Sequence, residues 1–254
     1  MSMPARSTWS LRRGILVAGI AVAVAVALVL WVVFTGPSSS TTPGPGVASH
    51  TGLVNSATPV QTSPISVASG SLVVLFLSWV NYLAGGGGPT TITDSLGDSY
   101  SYVTSSGLTY NHTEAVYVAN LAAASSSFFV TVMFTGGDTA QGGSVSVVDV
   151  AHANETDIDG TNWAFNQGAT ASVTVVTTHT GDLVLLGAAG RGVSGPYSAV
   201  GGETLLDTGT ATAGPFLDGV AYGTFATTES GGSASLSATL NTPTYWVAIG
   251  VAIR

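Results

Sequence analysis

The chain has 254 residues, no cysteine, no lysine, a formal net charge of −8 and only 7% charged residues. Without cysteine there is no disulfide, no thiolate metal site, no lipid-modified cysteine and no thiol nucleophile. The acidic balance repels phosphate and so excludes nucleic-acid partners, and the missing lysine excludes a nucleotide-binding P-loop.

Residues 1–13 are a basic tail carrying Arg6, Arg12 and Arg13. Gly14–Phe34 (GILVAGIAVAVAVALVLWVVF) then runs without a charge. A helix of that length spans roughly 31 Å, close to the hydrocarbon thickness of a bilayer. The next basic residue is Arg191. That asymmetry predicts a cytoplasmic N-terminus and an extracellular C-terminal domain. The expectation is a single-pass signal-anchor in the cell membrane, with the lipid bilayer as first partner. A cleaved secretory peptide fits less well. Its apolar core would run about 7–15 residues and end in a small-residue A-x-A site, whereas Phe34-Thr35-Gly36-Pro37 follows here.

Arg12-Arg13-Gly14 directly before Ile15 resembles the processing site of archaeal type IV pilins and archaellins. The resemblance covers the N-terminal fifth of the chain at most. It implies cleavage after Gly14 and an apolar helix retained as a filament core, hence self-association. The acidic residue many bacterial pilins carry at the fifth mature position is replaced by Gly19.

Residues 35–58 read as a Pro/Gly/Ser/Thr-rich linker, most clearly from Thr35 to Thr51. That composition cannot bury apolar surface and reaches roughly 50 Å when extended. From residue 59 to 254 the pattern changes to period two and to short apolar runs between turn residues. The first set of expected strands is Ile65–Ala68, Leu72–Asn81, Thr90–Thr93, Ser99–Thr104, Ala115–Leu121, Ser127–Thr135 and Ser144–Ala151. The second is Ala171–Thr178, Asp182–Ala188, Glu203–Leu206, Gly219–Ala226, Ser233–Thr239 and Tyr245–Ile253. LVVLFLSWV and YWVAIGVAI are apolar almost throughout, which predicts central strands buried on both faces.

The two sets echo one another. Ser69-Gly70-Ser71-Leu72 matches Thr180-Gly181-Asp182-Leu183, and Ala115-Val116-Tyr117 matches Val220-Ala221-Tyr222. The expected fold class is therefore all-β: one β-sandwich, jelly-roll-like or immunoglobulin-like, of about 12 strands in two similar halves. The domain resembles β-sandwich modules of prokaryotic surface proteins.

Catalytic signatures are absent. His50, His112, His152 and His179 are scattered, and no H-E-x-x-H or G-x-S-x-G occurs. Asn154–Asn162 (NETDIDGTN) clusters oxygen donors with a turn glycine and resembles part of a D-x-D-G calcium loop, with Asp157, Asp159 and Asn162 as the ligands of a possible Ca2+. Asn111-His112-Thr113 and Asn154-Glu155-Thr156 are N-glycosylation acceptors at Asn111 and Asn154. Trp163, close to Phe165 and outside an expected strand, is the candidate for stacking on cell-surface glycans. The function expected is a structural, adhesive or binding role at the cell surface, towards glycans or other surface proteins, and no catalytic activity. A pilin-like subunit and a polysaccharide-acting module are the alternatives.

Overall fold

A computed structural model describes residues 43–55, 59–80, 88–107, 112–135, 143–191, 196–211, 220–229 and 232–254. Gly14–Phe34 and Asn111 lie outside the described residues. Among the described residues no helix is long and apolar enough to cross a membrane. The described secondary structure is strand throughout, apart from a 3-10 turn at Glu155–Asp157.

The first ten strands are β1 (Gly46–Asn55), β2 (Val60–Gln61), β3 (Ile65–Val67), β4 (Leu72–Val80), β5 (Gly88–Asp94), β6 (Ser101–Ser105), β7 (His112–Asn120), β8 (Ser125–Phe128), β9 (Val130–Thr135) and β10 (Gly143–Ala151). The remaining six are β11 (Ile158–Val176), β12 (Leu183–Arg191), β13 (Ser198–Ala199), β14 (Thr204–Ala211), β15 (Val220–Thr228) and β16 (Ser233–Ile253). All pairs are antiparallel.

Two sheets lie at the centre, one five-stranded in the order β1-β10-β4-β7-β6 and one six-stranded in the order β11-β16-β12-β15-β14, with β13 also paired to β16. Apolar side chains on alternate positions of each strand sort into three clusters, and these define four layers. Leu72, Val74 and Phe76 of β4 join Val116, Val118, Val148 and Val150 against Leu183, Leu185, Ile249, Val251 and Ile253 of the second sheet. The intervening Val73, Leu75 and Leu77 point the other way, against Val60, Phe128, Val130 and Val132 of the small β2-β9-β5 and β3-β8 sheets. LVVLFLSWV is thus buried on both faces, as its composition predicts. The fourth layer is built by β11 and β16 themselves. At about 3.3 Å per residue, a strand of 19 residues far outruns the nine-residue β12 of the same sheet. It turns back over the sheet it started in, aided by a bulge between Gly168 and Thr170. Asn162 Nδ2 donates to Thr174 O of the same strand at 2.8 Å. The enclosed cluster holds Val173, Val175, Val184, Leu186, Phe225 and Leu236.

Two expectations change. Gly46–Asn55, assigned to the linker, is a ten-residue strand paired along its length with β10. A Ser/Gly-rich run reads as spacer, but Val47 and Leu53 pack against the core from it. Trp163 and Phe165 lie within β11 and not in a connection, because β11 begins at Ile158. The described strands form several antiparallel sheets within a single compact unit, Pro43–Arg254.

The sheets share their pairing order position by position, and the registers coincide. Leu72 faces Asn120 and Val150, while Leu183 faces Thr228 and Ile253. Both edge strands, β1 and β11, shift register at the same place, between Val47 and Ser49 and between Ile158 and Gly160. The turn before the central strand is framed identically. Gly70 N donates to Leu121 O and Leu121 N to Ser71 O; Gly181 N donates to Glu229 O and Glu229 N to Asp182 O.

Where β4 crosses β12, Phe76 sits over Gly187. A methyl group at Gly187 would strike the Phe76 ring and come within 2.6 Å of Glu114 Oε1. Gly187→Ala should therefore lower unfolding stability by about 1–3 kcal/mol, measured by urea denaturation. The same change at Gly202, where nothing lies within 4 Å, should leave stability nearly unchanged.

Candidate functional site

The densest group of ionisable side chains lies where the second half starts. The bulge at the beginning of β11 turns Asp159 towards the loop that joins β11 to β12. Thr178 N donates to one Asp159 oxygen and Thr178 Oγ1 to the other. His179 Nδ1 lies 3.3 Å from Asp159 Oδ1 and 2.9 Å from Thr178 Oγ1. Asp182 closes the group, and one ligand atom from each of Asp159, His179 and Asp182 lies within 4.8 Å of the others. The Asp159 side chain is 7% exposed and the His179 ring 50%. Asp182 is 1% exposed, and its Oδ2 is buried without a hydrogen-bond partner.

The two carboxyl groups differ sharply. Hydrogen bonds from Thr178 hold Asp159 well below the usual carboxylate range. Desolvation, then the hydrogen bond and negative charge of Asp159, push Asp182 up to about 6. Glu229, whose backbone brackets Asp182 and whose Oε1 accepts from Ser233 N at 3.1 Å, adds further negative charge. Two adjacent carboxylates ionise together only when something cationic lies between them. Below about pH 6 this one pairs a carboxylate with a carboxylic acid, beside an imidazole that opens to solvent.

The residues expected to hold calcium do not converge. Asp157 Oδ2 accepts from Asn154 N and Nδ2 in a capping box, and its Oδ1 faces Arg254 Nε at 3.9 Å. Asn162 is occupied by Thr174 O and Trp163 N. Only Asp159 joins the group, because the bulge turns it away from its sequence neighbours. Asn154 is exposed, but its Nδ2 is held by Asp157 at 2.7 Å. Trp163 is 45% exposed on the edge strand β11. Phe165 follows on the same strand face, and Tyr245 shares that face opposite Gln167.

His179 and Asp182 were passed over because neither belongs to a contiguous motif. The internal repeat carries the missing signal. Aligning Leu72 with Leu183 places Asp159, His179 and Asp182 over Ala48, Ala68 and Ser71, and the turn frame places Glu229 over Leu121. The chemistry-bearing residues stand out as the positions where the second half departs from the first.

Two other features mark the domain. Glu114 of β7 is buried at the centre of the inter-sheet interface beside Gly187, with Oε2 lacking a hydrogen bond, and burial raises its carboxyl far above the usual range. Around it the interface becomes polar. Thr224 donates to Ser146 across the two sheets at 2.7 Å, and Ser78 and Ser144 lie 2.6 Å apart. A cleft of about 370 Å³ opens near β1 and β14, lined by Pro45, Gly46, Val47, Leu183, Gly202, Thr204, Leu206, Ala226, Thr227 and Thr228. None of these lining residues carries an ionisable side chain.

Comparison with known proteins finds no match, whether among protein families, curated proteins or solved structures. Function must therefore be argued from the residues themselves.

The buried acids set a direction for pH dependence. Glu114 and Asp182 have raised folded-state values, so their contribution is full below the unfolded carboxylate range and is lost as pH rises, for Asp182 by about pH 6. Asp159 is depressed, so its contribution is lost as pH falls below about 4. The melting temperature should rise as pH drops from 7 towards about 4.5 and fall again below. Glu114→Gln should raise the melting temperature at pH 7 and flatten the slope, as read by calorimetry.

Proposed function

We propose that the protein is a membrane-anchored surface protein whose extracellular β domain serves a structural, adhesive or binding role. The observation that carries this reading is the continuity between an apolar, bilayer-length run and a rigid domain. Only residues 35–45 separate Phe34 from β1, which is paired along its whole length in the first central sheet. At about 3.1 Å per residue, that spacer reaches roughly 34 Å. A domain tethered so closely works at the membrane surface, against neighbours or an overlying layer.

The pairing orders support a finer reading of the fold. Within the first half, the central sheet runs β1-β10-β4-β7 and the outer strands β2/β3, β8/β9 and β5 pair among themselves. That is the strand order of a jelly roll, with β6 joined to the edge of the inner sheet. The second half repeats it with β11 and β16 each supplying an inner and an outer strand. The domain is then an internally duplicated jelly-roll-like pair, packed back to back through the inner sheets.

Mass spectrometry of the native protein from its membrane tests the reading. Recovery of peptides upstream of Gly14 on the membrane-bound protein is expected. A mature N-terminus at Ile15, with filaments in sheared material, would assign it instead to a pilin-like subunit.

The aromatic strip favours one binding reading within this class. Trp163, Phe165 and Tyr245 share one face of the β11 edge, with Trp163 45% and Tyr245 36% exposed. Exposed rings of this kind stack on sugar faces. Binding on a glycan array should fall at least tenfold in Trp163→Ala; a wild-type protein that binds no glycan removes this reading and leaves the anchored surface role standing.

A further inference from the structure

We infer that Asp159, His179 and Asp182 form a binding site for one divalent cation that clamps the start of β11 to the loop leading into β12. The three ligand atoms already lie within 4.8 Å of one another, a spacing that a single ion bridges. Two carboxylate oxygens and one imidazole nitrogen form a mixed donor set. It suits a borderline ion such as Zn2+ or Mn2+ better than Ca2+, which prefers oxygen alone. The exposed His179 ring leaves room for water to complete the coordination sphere.

Two observations beyond the cluster itself point to a ligand. The first is Asp182, which is 1% exposed and whose Oδ2 has no hydrogen-bond partner. A buried carboxyl oxygen left without a partner is costly, and a bound cation removes the cost. The second is the other half of the same chain. The first half builds the same bulge and the same turn frame with Ala48, Ala68 and Ser71 at the equivalent positions. The fold therefore does not require acids or histidine there. The first half closes its turn with Ser71 Oγ donating to Ala68 O at 2.9 Å, near Asp149 of β10. The second half has Ala252 in place of Asp149, by register, and concentrates its acids around the loop. Thr178, which holds both Asp159 oxygens, orients that carboxylate from behind.

The ion would join β11, the edge strand of the second central sheet, to the entry of its central strand β12. Its effect is mechanical: it adds a direct link between β11 and the entry of β12, two strands otherwise joined in the sheet through β16.

The test is titration of the full-length chain in detergent at pH 7.5 with Zn2+, Mn2+ and Ca2+ separately, after chelator treatment, by calorimetry and thermal unfolding. The expected result is one Zn2+ or Mn2+ per chain, with a higher melting temperature. His179→Ala, an exposed position, and Asp182→Asn should each weaken binding at least tenfold, whereas Ser71→Ala in the first half should leave it intact. His179→Ala keeps the test decisive where Asp182→Asn fails to fold. The proposal is overturned by no saturable binding of any of the three ions at 1 mM, by binding that survives both variants, or by binding of Ca2+ alone.

Discussion

The structure depends on the contact between its two central sheets. Leu72, Val74 and Phe76 on one side and Leu183, Leu185 and Ile253 on the other are fully or almost fully buried there. Each sheet also needs its second face covered, since β4 and β12 are apolar on both sides. One chain meets that demand by placing a small sheet outside the first and by doubling β11 and β16 over the second. In the absence of disulfides, this stacking is the source of cohesion. The close approach of Phe76 to Gly187 shows how little slack the contact has.

The central contact is not uniform along its length. It is hydrocarbon at the end nearest Leu72 and Leu183, and polar around Glu114, Ser146 and Thr224. A buried carboxyl group without a cation beside it is stable only as the neutral acid. Burial thus favours the neutral acid at Glu114, and at Asp182 up to about pH 6. Its acidic sequence composition does not translate into an equally negative folded protein.

Much of this was legible in the residues. Period-two runs and unbroken apolar runs located most strands, and the Ser-Gly-Ser-Leu and Thr-Gly-Asp-Leu echo announced the repeat. What escaped has physical causes. β1 is rich in Gly, Ser and Thr, and its burial comes from Val47, Leu53 and pairing with β10, a partner about 100 residues away. Strand propensity is weak where the partner decides. The start of β11 was hidden in the same way, by Asn, Gly and Gln that pair with β16. Sequence spacing cannot show a bulge: Asp157 and Asp159 are two residues apart yet serve different partners, so the fold does not bring them together. His179 and Asp182 become visible only when one half is laid on the other.

The scarcity of basic residues has a further consequence, for proteolysis. Proteases that cut after lysine or arginine find Arg191 as the one basic residue between Arg13 and the terminal Arg254. Arg191 lies in β12, paired with Val220 of β15 on one side and Tyr245 of β16 on the other. A protease must draw its substrate into an extended, unpaired conformation, which a strand held from both sides does not offer. For that large class of enzymes the chain offers few sites, and the residues leading up to this one are already paired on both sides.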